Sequence, residues 1–141
     1  MNFLLDTNIV SEWTKPRPDP GVVNWLAEAD EDRIYLSVIT IAELCHGIER
    51  LPAGARRLKL HDWLMDQVPR RFGDRLLIVD AETAQIWGRV MAQVQKTGYQ
   101  PNIMDAFIAA AVLQHDMTLV TRNIADFKSF QIRLINPWDA D

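Results

Sequence analysis

Five short apolar runs alternate with helix-like segments along this chain of 141 residues. Most of the runs lack the strict polar–apolar alternation of a half-exposed strand. Continuous apolar runs of this length are typical of strands in a parallel sheet that is covered on both faces. Helices that connect such strands build βαβ units. We therefore predict a three-layer α/β/α sandwich with a mostly parallel central sheet, whose strands lie at 2–5, 34–39, 76–79, 117–120 and 132–135.

The segments between the runs carry apolar residues at helical spacing. The longest of them, 55–72, is amphipathic and contains Pro69, where we expect an interruption. No linker-like or low-complexity segment divides the chain, and its length suits one domain. We expect a single domain over 1–141, with helices at 20–30, 41–51, 55–72, 81–96 and 103–115.

Charge and composition exclude several classes of protein. The formal net charge is −4, so the chain is not a basic nucleic-acid coat, and binding a polyanion requires a local basic patch or a bound cation. No apolar run reaches the length of a membrane span, and the N-terminal residues lack the basic start of a secretory signal. The single cysteine, Cys45, has no internal partner, which is typical of a reducing compartment. We expect a cytoplasmic protein without a membrane partner.

Carboxylates recur at the predicted strand–helix junctions. Asp6 directly follows the first strand, with Asn8 as the predicted N-cap of the next helix. Because right-handed crossovers place the carboxyl ends of all strands at one edge of the sheet, acids at these junctions are predicted to gather there. Each alone is readily explained as a helix cap. Three further acids follow a possible N-cap by three residues: Glu43 after Thr40, Asp105 after Asn102 and Asp126 after Asn123.

Asp105 is the acid that capping explains least well. Its predicted helix carries no other charge between Ile103 and Gln114 and is apolar almost all round, so it should be buried on most sides. No basic residue lies within one helical turn of Asp105. Because a buried carboxylate is rarely left without a partner, we expect a ligand or a metal ion there.

A cluster of such acids favours a hard cation. Two carboxylates about 5 Å apart repel by roughly 3 kcal/mol at an effective dielectric constant of 20. The cluster must therefore raise its pKa values or bind a cation. Oxygen ligands suit Mg²⁺ or Mn²⁺ rather than zinc, and the three histidines, His46, His61 and His115, lack metal-binding spacing. Through such an ion an acidic protein can act on a polyanion.

Five stretches of the chain resemble the PIN-domain ribonucleases. They are LLDTNIVSE, SVITIAEL, MDAFIAAAV, TLVTRNIADF and INPW, and they occur in the family's order between residues 3 and 138. The chain is most similar to the VapC-type toxins of bacterial toxin–antitoxin pairs, including their FitB-like branch. This resemblance implies a parallel sheet between helices and a metal-dependent endoribonuclease.

The resemblance also implies roles for individual residues. Asp6, Glu43 and Asp105 match the family's acids that hold Mg²⁺ or Mn²⁺ and are the expected catalytic residues. The family's fourth acid aligns with Asn123, so Asn123 and Asp126 are weaker candidates for the metal shell. The polar residues expected to support the acids are Thr7, Asn8 and Thr121.

The partners follow from the same resemblance. We expect an RNA substrate, a homodimer and a small antitoxin whose tail lies in a groove near Trp63 and Leu64 and offers a basic side chain to the acids. Basic residues of the middle segment either contact RNA phosphates or form a solvated helix face. They are Arg56, Arg57, Lys59, Arg70 and Arg71.

Two other functions are consistent with parts of this pattern. A haloacid-dehalogenase-like phosphatase also uses a strand-end aspartate, but it needs a second Asp two residues later, where this chain has Asn8. A non-catalytic PIN-like module that binds RNA or protein remains the alternative. Metal titration combined with an RNA cleavage assay distinguishes it from a nuclease.

Overall fold

The central sheet is all-parallel in the computed structural model, which describes residues 1–139. Its strands are β1 (Phe3–Leu5), β2 (Ile34–Ser37), β3 (Leu76–Leu77), β4 (Thr118–Val120) and β5 (Leu134–Ile135), in the order β3-β2-β1-β4-β5. In β1, Leu4 pairs with Tyr35 on one side and with Leu119 on the other. The predicted parallel sheet is confirmed, with shorter strands than expected.

Helices cover both faces of this sheet. Leu4 and Leu5 are fully buried on opposite faces of β1, as expected for adjacent residues of a strand. Leu4 shares a core cluster with Val90 and Ile108, and Leu5 shares another with Ile9 and Leu44, so helices lie on both faces and the predicted three layers are confirmed. The helices are α1 (Thr7–Glu12), α2 (Pro20–Glu28), α3 (Val38–Glu49), α4 (Ala55–Asp62), α5 (Val68–Phe72), α6 (Ala81–Lys96), α7 (Ile103–Gln114) and α8 (Ile124–Phe127).

The strand order reverses direction between β1 and β4. The chain builds β1, β2 and β3 outward on one side and then returns to place β4 on the other side of β1. Leu5 and Val120, the last residues of β1 and β4, are paired. In open α/β sheets such a switch point leaves a crevice outside the carboxyl ends of the strands, where ligands bind.

Two predicted helix starts are wrong. The Ser37 hydroxyl accepts a hydrogen bond from the Ile39 N–H at 3.0 Å and caps α3 three residues before Thr40, so Glu43 lies in the second helical turn. At the first junction the cap is Asp6, whose carboxylate accepts from the Thr7 N–H, and Asn8 lies inside the first turn of α1. In both cases a polar residue closer to the strand satisfies the first free N–H groups.

The segment 55–72 is helical throughout. A π-helical turn, Trp63–Gln67, joins α4 to α5, and the Val68 N–H donates to the Trp63 carbonyl. This wider turn precedes Pro69, which has no N–H to donate and would clash with a regular preceding turn. Leu64 and Val68 are buried in the core, so Leu64 does not line a groove and that part of the prediction is wrong.

Among the helices of the described residues, none combines the length and the apolar character that crossing a bilayer requires.

Candidate active site

A cavity of about 330 Å³ opens at the carboxyl ends of β1 and β4. We call it the acid cavity, because Asp6, Glu43 and Asp105 all line it, together with Asn123. These residues come from the end of β1, the second turn of α3, the first turn of α7 and the segment after β4. The structure therefore brings together the three acids that the sequence predicted.

Asp6 is the most rigidly held of the acids. It is buried, and its N–H donates to the Val120 carbonyl at 2.9 Å, which continues the pairing of β1 with β4. Its Oδ1 accepts from the Thr7 N–H at 2.8 Å, and its Oδ2 accepts from the Thr121 hydroxyl at 2.7 Å. The carboxylate is therefore fixed from two sides at the switch point.

The side chains of Thr7 and Asn8 link the acids to neighbouring segments. The Thr7 hydroxyl donates to Glu43 Oε1 at 2.8 Å and so connects α1 to α3. The Asn8 amide donates to Asp6 Oδ2 at 3.4 Å, and its carbonyl oxygen accepts from the Arg122 N–H at 3.2 Å. Thr7 and Asn8 thus connect the start of α1 to Glu43, to Asp6 and to the segment that follows β4.

The position of Asp105 is fixed by a hydrogen bond of its backbone and not of its side chain. Its N–H donates to the Asn102 side chain at 3.0 Å, so the predicted Asn102 cap is confirmed. Its carboxylate forms no hydrogen bond or ion pair within residues 1–139. A half-buried carboxylate of this kind is free to bind a cation.

Burial and the negative charge of a neighbouring carboxylate raise the pKa of each of the three acids; at Asp6 that neighbour is Asp126, and at Glu43 it is Asp6. Burial is the main cause at Asp6, at Glu43 and at Asp105. At Asp105 the charges of Asp6, Glu43 and Asp126 add to it and raise the pKa to about 7. At Asp6 the Thr121 hydroxyl partly offsets the rise, and at Glu43 the Thr7 hydroxyl does so. A bound cation would attract these carboxylates and so lower their pKa values.

We predict that the cation-free protein loses stability as pH rises toward 7. The folded-state pKa of Asp105, about 7, lies above its ordinary value of 3.8, so between these values the folded state keeps a proton that the unfolded chain has lost. Stability from this group therefore falls across that window. Thermal melting in EDTA should show a steeper fall for the wild type than for Asp105→Asn, and parallel curves would contradict the raised pKa.

The donor set of the acid cavity fits a hard cation. Carboxylate and amide oxygens surround it, and these are the ligands that Mg²⁺ and Mn²⁺ prefer. Within the described part of the chain, no three His, Cys, Asp or Glu side chains are gathered closely enough to enclose an ion as they stand. Because like charges repel, a cation would have to draw these carboxylates inward.

Asn123 and Asp126 are placed differently from each other. Asn123 lines the acid cavity, and its N–H donates to the Thr121 hydroxyl at 3.0 Å. Its side chain makes no capping hydrogen bond to α8, so the prediction of an Asn123 side-chain cap is wrong. Asp126 is exposed, yet its charge raises the pKa of both Asp6 and Asp105.

Three of the five predicted basic residues are already paired with carboxylates and are therefore less available to RNA phosphates. Arg57 pairs with Glu49, Arg70 with Asp66, and Arg71 with Glu31, on exposed or partly exposed surface. Arg56 and Lys59 instead line a second cavity beside the acid cavity. None of these five basic residues lines the acid cavity.

Sequence reasoning missed two cations and a ring at the acid cavity. Lys15, Arg122 and Trp138 line it, and the Arg122 guanidinium lies 5.3 Å from the centre of the Trp138 ring. Arg122 directly follows Thr121 at the end of β4, and this position could have indicated it. Trp138 ends the INPW stretch of the resemblance, which gave it no role, and no local pattern indicates Lys15. Both residues reach the cavity through tertiary packing.

We predict that Thr121→Val weakens Mn²⁺ binding by roughly 10–100-fold, the usual effect of removing a group that orients a metal ligand. The substitution keeps the side-chain shape but removes the hydroxyl that donates to Asp6 and accepts from Asn123. Thr121 is fully buried, so its effect on an ion must pass through Asp6, Asn123 and Asn8, the residues that its hydroxyl contacts. Isothermal titration with MnCl₂ measures it. Wild-type affinity in a folded variant would show that this hydroxyl does not orient a ligand.

Comparisons with known proteins show what the whole chain is similar to. A model of the PIN domain family matches residues 3–131. Toxin FitB of Neisseria gonorrhoeae is 35% identical over 136 residues, which cover 96% of this chain and 98% of that protein. VapC ribonuclease Y4jK of Sinorhizobium fredii is 34% identical over 137 residues, covering 97% and 98%. The structure of FitAB bound to an IR36 DNA fragment has a TM-score of 0.91 at 33% identity and covers 99% of this chain and 97% of that chain.

Proposed function

This chain belongs to the PIN domain family, and from that premise we propose that it is an endoribonuclease that acts as the toxin of a toxin–antitoxin pair. Two relatives that each match nearly the whole chain are a toxin and a VapC ribonuclease. The observation that carries the proposal is the unpaired carboxylate of Asp105, which lines one cavity with Asp6 and Glu43. The family match supports treating 1–141 as one nuclease domain.

In the proposed chemistry Asp6, Glu43 and Asp105 hold Mg²⁺ or Mn²⁺. When bound, such a cation neutralises charge at the phosphoryl centre and lowers the pKa of water, which phosphodiester hydrolysis requires. The carboxylates fix the cation and orient water by accepting its hydrogen bonds. Arg122, at the same cavity, attracts the RNA backbone, whereas Lys15 is already paired with Glu12. The reaction needs no covalent intermediate with the enzyme.

The proposed protein partner is a small antitoxin. The FitAB assembly, whose structure resembles this chain closely, is bound to DNA, which suits a partner that also binds DNA. A basic side chain from the antitoxin would substitute for the cation among the three acids, whose charges otherwise repel. Because Leu64 is buried, Trp63 is the part of the predicted tail groove that is still accessible.

We also propose that the protein is a cytoplasmic homodimer. Its exposed apolar side chains include Ile78, Val79 and Ile103, and burying them requires a second surface. Light scattering should give the mass of a dimer. A monomer at high micromolar concentration, with no partner recovered by pull-down, would contradict the proposed assembly.

RNA cleavage by the purified chain tests the proposed function. The protein is incubated with total RNA and MgCl₂ or MnCl₂, and new 5′ ends are mapped, as they are after brief induction in cells. Discrete new ends should appear with the wild type and should be absent in EDTA or with Asp6→Asn. Ends that persist with Asp6→Asn would indicate a contaminating nuclease. No cleavage in any metal would favour a non-catalytic binding module.

We predict that Asn123→Asp tightens the binding of a second Mn²⁺ ion. Asn123 lines the acid cavity with a neutral oxygen donor, so the wild type should hold one ion well and a second ion weakly. Isothermal titration of the two proteins measures affinity and stoichiometry. Unchanged values would place this position outside the metal shell.

Asp126→Ala provides the comparison for that variant. Asp126 acts on the acids through its charge and does not line the cavity, so the loss of activity should be partial and smaller than for Asp105→Asn. A loss as large as that of Asp105→Asn would instead make Asp126 a direct ligand.

A further inference from the structure

A second cavity of about 580 Å³ lies beside the acid cavity. We call it the tryptophan groove, and it is lined by Trp13, Lys15, Arg56, Lys59, Trp63 and Gln67. The groove combines two indole rings with three cationic side chains in a protein whose formal net charge is −4. Aromatic rings interleaved with cations are typical of surfaces that bind single-stranded nucleic acid.

The tryptophan groove is continuous with the acid cavity. Lys15 lines both. A smaller depression shares lining residues with both cavities. It runs along α1, where the hydroxyl side chains of Thr7 and Ser11 lie one helical turn apart, and continues to Thr14, which follows the helix. Trp63 and Arg56 line the far end of that depression, and Glu43 lines its near end. A single strand that enters the acid cavity can therefore extend into the groove without leaving the surface.

Two cations in the groove are free to bind an anion. Arg56 and Lys59 form no ion pair within residues 1–139, whereas their neighbour Arg57 pairs with Glu49. Arg70 likewise pairs with Asp66 on the adjoining surface. Because the neighbouring arginines are already paired with carboxylates, Arg56 and Lys59 are the cations of this segment that a phosphate backbone can bind.

The two indole rings differ in what already covers them. The Arg71 guanidinium lies over the Trp13 ring, 4.2 Å from its centre, so Arg71 already covers part of that ring. Trp63 has no such cation and no aromatic partner among the described residues, and its indole N–H donates no hydrogen bond there. Trp63 is therefore the ring that can accept a stacked base.

We propose that the tryptophan groove is a nucleotide subsite, in which an unpaired base of the RNA stacks on Trp63 while Arg56 and Lys59 bind the flanking phosphates. This inference rests on the proposed ribonuclease function. It requires an unpaired segment next to the cleaved bond, because bases within a duplex are already stacked on their neighbours. The unpaired cations beside the ring favour a polyanion over an apolar peptide surface.

Binding of a fluorescein-labelled oligouridylate to the full chain, followed by anisotropy in EDTA, tests the subsite. Trp63→Leu should weaken binding about tenfold, the typical effect of removing a ring on which a base stacks. Trp63→Phe keeps an aromatic ring and should lose less, which separates stacking from a packing defect. A hairpin of fully paired RNA should bind more weakly than the single strand.

The cations are tested through the salt dependence of the same binding. Arg56→Ala and Lys59→Ala should each reduce the slope of log affinity against log salt by about 0.7, the value for one lost phosphate contact on a single strand. Arg70→Ala removes the same charge from a side chain that does not line the groove, so its slope should stay at the wild-type value.

Parallel cleavage assays separate this inference from the proposed function. If the wild type cleaves RNA and the Trp63, Arg56 and Lys59 variants bind and cleave like Arg70→Ala, the subsite is wrong and the nuclease stands. If the wild type cleaves nothing but oligouridylate binding depends on Trp63, the nuclease is wrong and the subsite stands. If the variants lose only the co-purified protein partner, the groove belongs to that partner and the subsite is overturned.

Discussion

Asp105→Asn should lower cation-dependent RNA cleavage by about 10³-fold or more, since a catalytic cation contributes several kcal/mol to the transition state. Asn has nearly the same shape as Asp and keeps one oxygen donor, but it lacks the charge that holds a divalent cation. The Asp105 carboxylate has no partner in the described residues, so its removal breaks no hydrogen bond. The variant should therefore fold normally.

The measurement is a cleavage time course in MnCl₂, with thermal melting of the same samples. In EDTA the variant should melt at the same or a slightly higher temperature, because repulsion by Asp6 and Glu43 is relieved. Asp62→Asn makes the same chemical change on an exposed surface residue and should cleave like the wild type. Wild-type cleavage by Asp105→Asn would exclude this residue from the catalytic site.

The sheet and the gathering of acids could be predicted because both depend on short-range patterns. Continuous apolar runs indicate buried strands, and parallel strands bring their carboxyl ends to one edge. Asp105 was identifiable because a lone charge in an apolar helix conflicts with burial of that helix. These inferences need residue spacing and no knowledge of distant contacts.

Helix starts were harder to predict because the sequence offers competing caps. Ser37 and Thr40 are both good N-caps three residues apart, and the apolar residues between them suit a strand or a helix equally. Ser37 is the last residue of β2 and is held in the sheet by its pairing with Leu77 of β3, which is a tertiary contact. Propensity alone could not decide between the two positions.

The sequence alone could not show which arginines form ion pairs and which remain free. Arg71 pairs with Glu31, 40 residues away in the chain, and Arg57 pairs with Glu49 across the turn between α3 and α4. Arg56, next to Arg57, faces the tryptophan groove instead. Neighbouring side chains of a helix point in different directions, so two adjacent arginines can have different partners.

Gly21→Ala should destabilise the protein by about 1–3 kcal/mol, the usual cost of forcing an extra methyl group into a packed site. A Cβ built at Gly21 would lie 2.2 Å from the Pro137 carbonyl oxygen, which is backbone and cannot rotate away. The chain must then move Pro137, and with it the neighbouring Trp138 that lines the acid cavity. Activity should therefore fall together with stability.

Gly88→Ala is the matched control for that variant, since Gly88 lies inside α6 with nothing within 4 Å of its Cβ position. It should stabilise the protein by roughly 0.5–1 kcal/mol, because alanine favours a helix interior over glycine. Chemical denaturation of both variants measures the two opposite shifts. Equal effects would mean that the contact between the start of α2 and the C-terminal segment does not constrain Gly21. A loss of activity without a loss of stability in Gly21→Ala would show that the segment yields and that Trp138 contributes to the site itself.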